Sequence, residues 1–306
     1  MTTLSTSGGP DDDTPAIRRA VVIGCGLIGT SVALALRREG VRVALDDHDP
    51  RALAQAVSMG AGVALRRRAR RADVVVIATP PSAVVSVLRE AQSRGLGAVY
   101  TDVASAKARI LAEAGPAGCD LTSYVPGHPM AGREVSGPAA ARAGLFEGRT
   151  WAVCPHPDLS PHALRVACVL AAACGAEVTL LAPDAHDQVT AAVSHVPLVL
   201  SAALAGRFAR AEPQALALAG TGLQDMTRIA ASPVDMWRDI LEHNAGSVAS
   251  LLEDVASDLA QAVAALRAAG APGRKAVAEL LSQGNAGHAR IVDACSARER
   301  RAQPAS

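Results

Sequence analysis

Short, unbroken apolar runs recur along the first 182 residues, each ended by glycine, proline or acid and most followed by a longer helical pattern. Residues 20–24 (AVVIG) end in glycine, with the apolar stretch 30–36 beyond, and so predict a strand, a tight turn and a helix. Residues 41–45 (VRVAL), 73–78 (DVVVIA) and 98–102 (AVYTD) predict further strands. Thr79-Pro80-Pro81 closes the third run, and a helix follows to about residue 93. Runs of this kind suit strands covered on both faces, and their alternation with helices predicts an α/β fold, a Rossmann-type doubly wound parallel sheet. Residues 150–154 and 176–181 predict two more strands flanking a helix over 161–174. Beyond Pro183 the strand pattern stops. Residues 184–269 are helical in period, with breaks at Gly206, at 220–222 and at Ser232-Pro233, and a second helical segment runs from Lys275 to about residue 296. The expected organisation is a disordered tail (1–17), an α/β domain (18–182), an all-helical domain (183–297) and a polar tail (298–306).

Composition narrows the classes. The 306 residues carry a formal net charge of +1, which disfavours a polyanionic partner. Five arginines crowd residues 66–71, yet no aromatic side chain interleaves with them, so they predict a solvated surface rather than a nucleic-acid site. The six cysteines form no CxxC pair or zinc-like cluster; they suit buried thiols in a reducing cytoplasm, and no metal is expected. The N-terminus lacks the basic start and apolar core of a secretory signal. Residues 189–206 contain no acid, lysine or arginine and reach the lower length of a membrane span. Ser194, His195, Pro197 and Ser201 interrupt them, and alanine outnumbers leucine. A buried helix of a soluble dimer is expected, not a membrane helix.

The chemistry starts at the first turn. Gly24, Gly26 and Gly29 form GxGxxG between a strand and a helix, the context in which that pattern signals a dinucleotide. The first glycine turns the chain, the second admits a pyrophosphate, and the third lets helix pack on strand. Phosphates would then meet the free N–H groups of the helix start, around Leu27 and Ile28. The second strand ends in Asp46-Asp47-His48-Asp49. An acid there holds ribose hydroxyls and repels a 2′-phosphate, which favours NAD over NADP. Asp47 is the preferred residue and Asp46 its close competitor. Thr79, Pro80, Ser105 and His128 all follow strand ends, so they should gather along one sheet edge beside the nicotinamide. Residues 124–137 (YVPGHPMAGREVSG) predict a loop, and a histidine, an arginine and a glutamate on such a loop point to function rather than packing.

These motifs resemble the prephenate dehydrogenase family, which includes the arogenate dehydrogenases. The matching pieces are GCGLIGTSVALAL at the glycine turn, TDVASAK (101–107), GHPMAGREVSG (127–137), VSHVP (193–197) and DMTRIAASPVDMWRDI (225–240). The resemblance implies NAD-dependent oxidative decarboxylation of prephenate to 4-hydroxyphenylpyruvate, in tyrosine biosynthesis or a related aromatic pathway, by a homodimer formed through the helical domain. It implies that His128 handles the proton on the substrate's 4-hydroxyl and that Ser105 orients that hydroxyl or the histidine. Ser194 and His195 would stand near substrate and nicotinamide. Arg228 would bind the substrate carboxylate, with Asp225 three residues earlier holding its guanidinium, and Glu134 would close the pocket through ionic contacts. Trp237 either packs beside this wall or touches substrate. Family members often carry a second histidine where this chain has Leu198, which leaves open arogenate or 4-amino-4-deoxyprephenate as the substrate. A β-hydroxyacid or imine-type reductase is the first alternative, but many of those use a lysine on the helical domain, and residues 184–269 have none. A nucleotide-sensing binder without turnover is the second, and it gives His128, Ser105 and Arg228 no reason to meet.

Overall fold

The computed structural model describes residues 15–131, 137–268 and 270–302. Two compact units are present, one ending at Ala245 and the other beginning at Gly246.

The first unit opens with β1 (Arg19–Ile23), α1 (Leu27–Arg38), β2 (Arg42–Asp46), α2 (Pro50–Ser58), β3 (Val63–Ala64), β4 (Ala72–Ile77), α3 (Pro81–Ser93), β5 (Gly97–Asp102), α4 (Ala108–Ala114) and β6 (Tyr124–Val125). The six strands form one parallel sheet in the order β3-β2-β1-β4-β5-β6, the doubly wound arrangement that the sequence pattern predicts. Alternate strand residues divide two cores. Val22, Val74 and Val76 face α1 and α2, whereas Val21, Val75 and Ile77 face α3 and α4. Because the strands are parallel, β1, β4 and β5 all deliver their carboxyl ends to the same edge.

Residues 124–137 are not wholly a loop. Pro126 separates two short strands, and β7 (Gly127–Pro129) leaves the first sheet to pair antiparallel with β8 (Thr150–Val153). β9 (Glu177–Leu180) completes this second sheet parallel to β8, after α5 (Pro161–Ala173). The two strands expected at 150–154 and 176–181 thus belong to a separate three-stranded sheet. Pro126 has no N–H for a ladder, so pairing passes from β5–β6 to β7–β8 across it. Gly127 leaves little room for a side chain at this crossing. A Cβ there would lie 3.0 Å from both Asp102 O and Thr101 Oγ1 and 3.1 Å from Trp151 Nε1.

Helices complete the unit. α6 (Pro183–Thr190) runs through one π turn (Ala191–His195) into α7 (Val196–Gly206). This continuous run is long and apolar enough to cross a membrane, yet it buries His186, Asp187, Thr190, His195 and Ser201 within the unit. Then come α8 (Pro213–Ala217), α9 (Thr221–Thr227), a 3₁₀ turn (Arg228–Ala231) packed on α7, and α10 (Val234–His243). α10 is tied to the start of α3, where Ser82 N and Oγ both donate to Asp239 Oδ2, at 3.2 and 2.9 Å. The second unit holds two long helices, α11 (Ala245–Arg267, whose first residue closes the first unit) and α12 (Ala271–Ala302).

Candidate active site

The glycine turn lies at the carboxyl end of β1. Gly24 has φ 104°, and a Cβ on it would come within 2.3 Å of Ala78 O; one on Gly29 would fall 1.9 Å from Gly24 O. Both positions are closed to any side chain. Gly26 differs, because a Cβ there meets nothing within 4 Å. Its freedom from side-chain bulk leaves the start of α1, at Leu27 and Ile28, open to an approaching anion. Asp47 reaches this turn, its Oδ2 accepting from Cys25 N while Oδ1 accepts from Asp49 N at 2.7 Å. Asp46 instead points toward Arg94, 3.9 Å away. Both acids border a cleft of about 230 Å³ that Ile23, Glu90, Arg94 and Leu96 also line. At the end of β4, Thr79 Oγ1 is buried without a hydrogen-bond partner among the described residues, and Pro80 precedes α3. An open glycine cradle, an acid beside it and an orphaned hydroxyl fit a dinucleotide.

His128 stands on β7, half-buried, at the same edge. Below it is a buried charge cluster that secures the strand. Lys107 Nζ donates to Asp102 Oδ1 and, at 2.9 Å, to Gly127 O, the carbonyl just before the histidine. Tyr124 OH and Ala104 N also donate to Asp102, at 2.7 and 2.8 Å. Lys107, Asp102 and Tyr124 are all fully buried. Burial, then the neighbouring Asp102 carboxylate, pushes the Tyr124 hydroxyl well above the ordinary tyrosine range. Ser105 lies between Asp102 and Lys107 in sequence, partly exposed at the end of β5.

The helical segment contributes the other wall. His186 Nε2 lies 2.9 Å from His128 Nδ1, and His186 Nδ1 lies 2.8 Å from Asp187 Oδ1. Asp187 also accepts from Lys107 N (2.8 Å) and Ala108 N (2.9 Å), so it joins α6 to the β5–α4 connection. Asn244 Nδ2 donates to Asp187 O at 2.8 Å and contacts His195 Nδ1 at 3.1 Å. His195 is fully buried, its Nε2 has no partner among the described residues, and its ring meets the Trp237 ring edge-on at 5.9 Å. An amide N–H directed at Nδ1 leaves the proton of the neutral ring on Nε2, which makes that atom an unpaired buried donor. Such a group costs about 1–3 kcal/mol, which a ligand acceptor offsets.

All three imidazoles are held neutral. Burial pulls His128 well below the ordinary histidine range, assisted by His186, Lys107 and His195. Burial lowers His186 against the opposing bond to Asp187, and it brings His195 down to about 4. Neutral imidazoles around an open edge are equipped to accept and donate protons.

The sequence-derived residues fall into three groups. His128 and His195 join one network through His186, Asp187 and Asn244. Arg228 and Asp225 are exposed on α9 and the turn after it, while Ser194 is half-buried in the π turn beside His195. The 3₁₀ turn that begins at Arg228 packs on α7. Glu134 lies outside the described residues. His186, Asp187 and Asn244 were not singled out by sequence.

Comparison with known proteins accords with this arrangement. Residues 32–180 match the model of the prephenate dehydrogenase nucleotide-binding domain, and residues 182–282 match that of the prephenate dehydrogenase dimerization domain. The chain is 40% identical over 252 residues to a protein of Streptomyces niveus described as probable prephenate dehydrogenase NovF, covering 82% of this chain and 69% of that one. It is 34% identical over 241 residues to the prephenate dehydrogenase of Bacillus subtilis, covering 73% of this chain and 63% of the relative. The chain thus spans about two thirds of the length of these relatives. Among solved structures, a prephenate dehydrogenase from A. aeolicus in complex with hydroxyphenyl propionate and NAD+ shares the fold. It has a TM-score of 0.80 and 24% identity, covering 91% of this chain and all of that one. With two family models spanning most of its length, on a matching fold, the chain belongs to the prephenate dehydrogenase family.

Proposed function

We propose that this chain catalyses NAD-dependent oxidative decarboxylation of prephenate or a closely related cyclohexadienyl acid. The observation that carries this reading is His128, a neutral imidazole on the nucleotide-side sheet edge within hydrogen-bond reach of the helical wall. Bound NAD would supply a two-electron acceptor for hydride, held by the glycine turn with its ribose at Asp47. The chain's own part is positional and protonic. His128 takes the 4-hydroxyl proton as hydride leaves C4. Loss of CO₂ from C1 returns an electron pair to the ring, the C4 oxygen recovers the proton, and a phenol results with no net proton released. Positioned proton transfer of this kind contributes roughly 10²–10⁴ in rate.

Ser105 orients the hydroxyl or His128, and the Nε2–H of His195 offers a donor on the substrate side, beside Ser194. Arg228 takes a substrate carboxylate in a bidentate fork, with Asp225 nearby and Glu134 as its ionic gate. Leu198, buried on α7 three residues beyond His195, presents no hydrogen-bonding group to the distal end of the substrate. That end distinguishes prephenate from arogenate, whereas 4-amino-4-deoxyprephenate differs from prephenate at C4. Homodimerisation is supported by the matched dimerization domain and by the exposed apolar side chains Leu259, Val263 and Leu266, which share one face of α11. The deciding experiment measures NADH formation by the purified protein with the three acids in parallel. Turnover of none of them overturns the proposal; turnover of one identifies the substrate.

A further inference from the structure

We infer that His186 is a positioning residue that fixes the tautomer of His128 and shares its proton, through a relay running from His128 by way of His186 to Asp187. The inference rests on the proposed role of His128 as base and adds two residues, on another element, that no motif assigned.

The direction of each bond follows from what the groups are able to donate. Asp187 already receives two backbone N–H groups, from Lys107 and Ala108, as a carboxylate does. At 2.8 Å from the same carboxylate, His186 Nδ1 must carry the hydrogen and donate it. A neutral His186 then presents a lone pair at Nε2, so at 2.9 Å the proton must come from His128 Nδ1. By elimination, the free lone pair of His128 is at Nε2, on the atom that His186 does not occupy. With the opposite tautomer, His128 would place a lone pair against a lone pair and offer substrate a proton instead of a base.

The same chain handles the proton once it arrives. When the 4-hydroxyl proton bonds to His128 Nε2, the hydrogen on Nδ1 moves toward His186 Nε2, and the resulting cation lies against Asp187. The steps reverse when the C4 oxygen regains its proton, so the cycle balances. Asp187, Lys107, Asp102 and His195 are the charged or titratable groups surrounding the pair. Asp187 is itself held by Asn244, whose side chain also bonds His195. Asp187 therefore meets His186 through its carboxylate and, through its backbone carbonyl and Asn244, is linked to His195.

The test compares His186→Gln with His186→Leu in the full-length protein. The Gln carbonyl accepts from His128 Nδ1 and its amide donates to Asp187, which keeps the tautomer but not the proton sharing; Leu keeps neither. Long-range ¹H–¹⁵N NMR on the imidazoles, without substrate, should show His128 protonated at Nδ1 in the parent and the Gln variant and a tautomer mixture in the Leu variant. With whichever acid the parent oxidises, kcat should fall about tenfold in the Gln variant and about a hundredfold or more in the Leu variant, with KM within twofold in both. His128 protonated at Nε2 in the parent overturns the relay, whether or not any cyclohexadienol is a substrate. Variant kcat values within threefold of an active parent overturn it while leaving the proposed function standing. Melting temperatures of the two variants within a few degrees of the parent show that the kinetic change is not unfolding.

Discussion

Removing the Lys107 ammonium by Lys107→Met is expected to cost far more stability than an ordinary surface ion pair. Lys107 and Asp102 are completely buried, and among the described residues the carboxylate keeps only Tyr124 OH and Ala104 N once the ammonium is gone. Breaking a buried pair from one side leaves an uncompensated charge, at a cost of about 3–5 kcal/mol. A unit of this size loses about 2–4 °C per kcal/mol, so a melting point lower by roughly 10 °C is expected. Adding Asp102→Asn should recover part of that loss, because an amide oxygen still accepts from Tyr124 or Ala104 without a charge to bury. Thermal unfolding followed by circular dichroism, at one protein concentration for all variants, supplies the cycle. Should Lys107→Met cost under 1 kcal/mol, or should the double variant lose the sum of both single losses, the buried charge is not what holds this edge. Activity gives a second readout, since Lys107 Nζ also holds the carbonyl that precedes His128. kcat should fall even at temperatures where the variant is fully folded.

The other expectations are shorter. His128→Asn should cut kcat by about a hundredfold or more while NAD affinity, measured by calorimetry, stays within a factor of two. Gly26→Ala should leave the melting point unchanged, because its Cβ meets nothing, but weaken NAD binding; Gly29→Ala, with its Cβ 1.9 Å from Gly24 O, should lower the melting point itself. Arg228→Gln should raise the substrate KM by a few kcal/mol equivalent and leave NAD binding alone, as expected on losing a charged partner. Stability should fall as pH drops below the ordinary histidine value of about 6.5, because unfolding then takes up protons that the folded imidazoles bind more weakly. The sign follows from folded values that lie below the unfolded ones. For His195 the window runs down to about 4, and an unfolding free energy that stays flat between these limits refutes the neutral, buried assignment.

What the sequence disclosed and what it concealed divide along physical lines. β1, β4 and β5 were readable because strands covered on both faces must be continuously apolar, and the glycine turn because no other residue avoids the collisions at Gly24 and Gly29. His128 was conspicuous through its neighbours, although its backbone is a strand paired to β8 rather than a loop, since nothing local announces a switch of sheet at Pro126. His186 and Asp187 were hidden for a different reason. At 100° per residue, the nine positions from His186 to His195 put the two rings about 180° apart on a regular helix. The π turn at Ala191–His195 underwinds the run and reduces that angle to roughly a quarter turn, so both side chains address Asp187 and Asn244. A helical period alone sends one of these histidines to the wrong face. The local departure from that period is therefore what brings these groups together: it lets one short helical segment provide a partner to His128 and the buried, unpartnered Nε2 of His195, from residues whose spacing gives no sign of it.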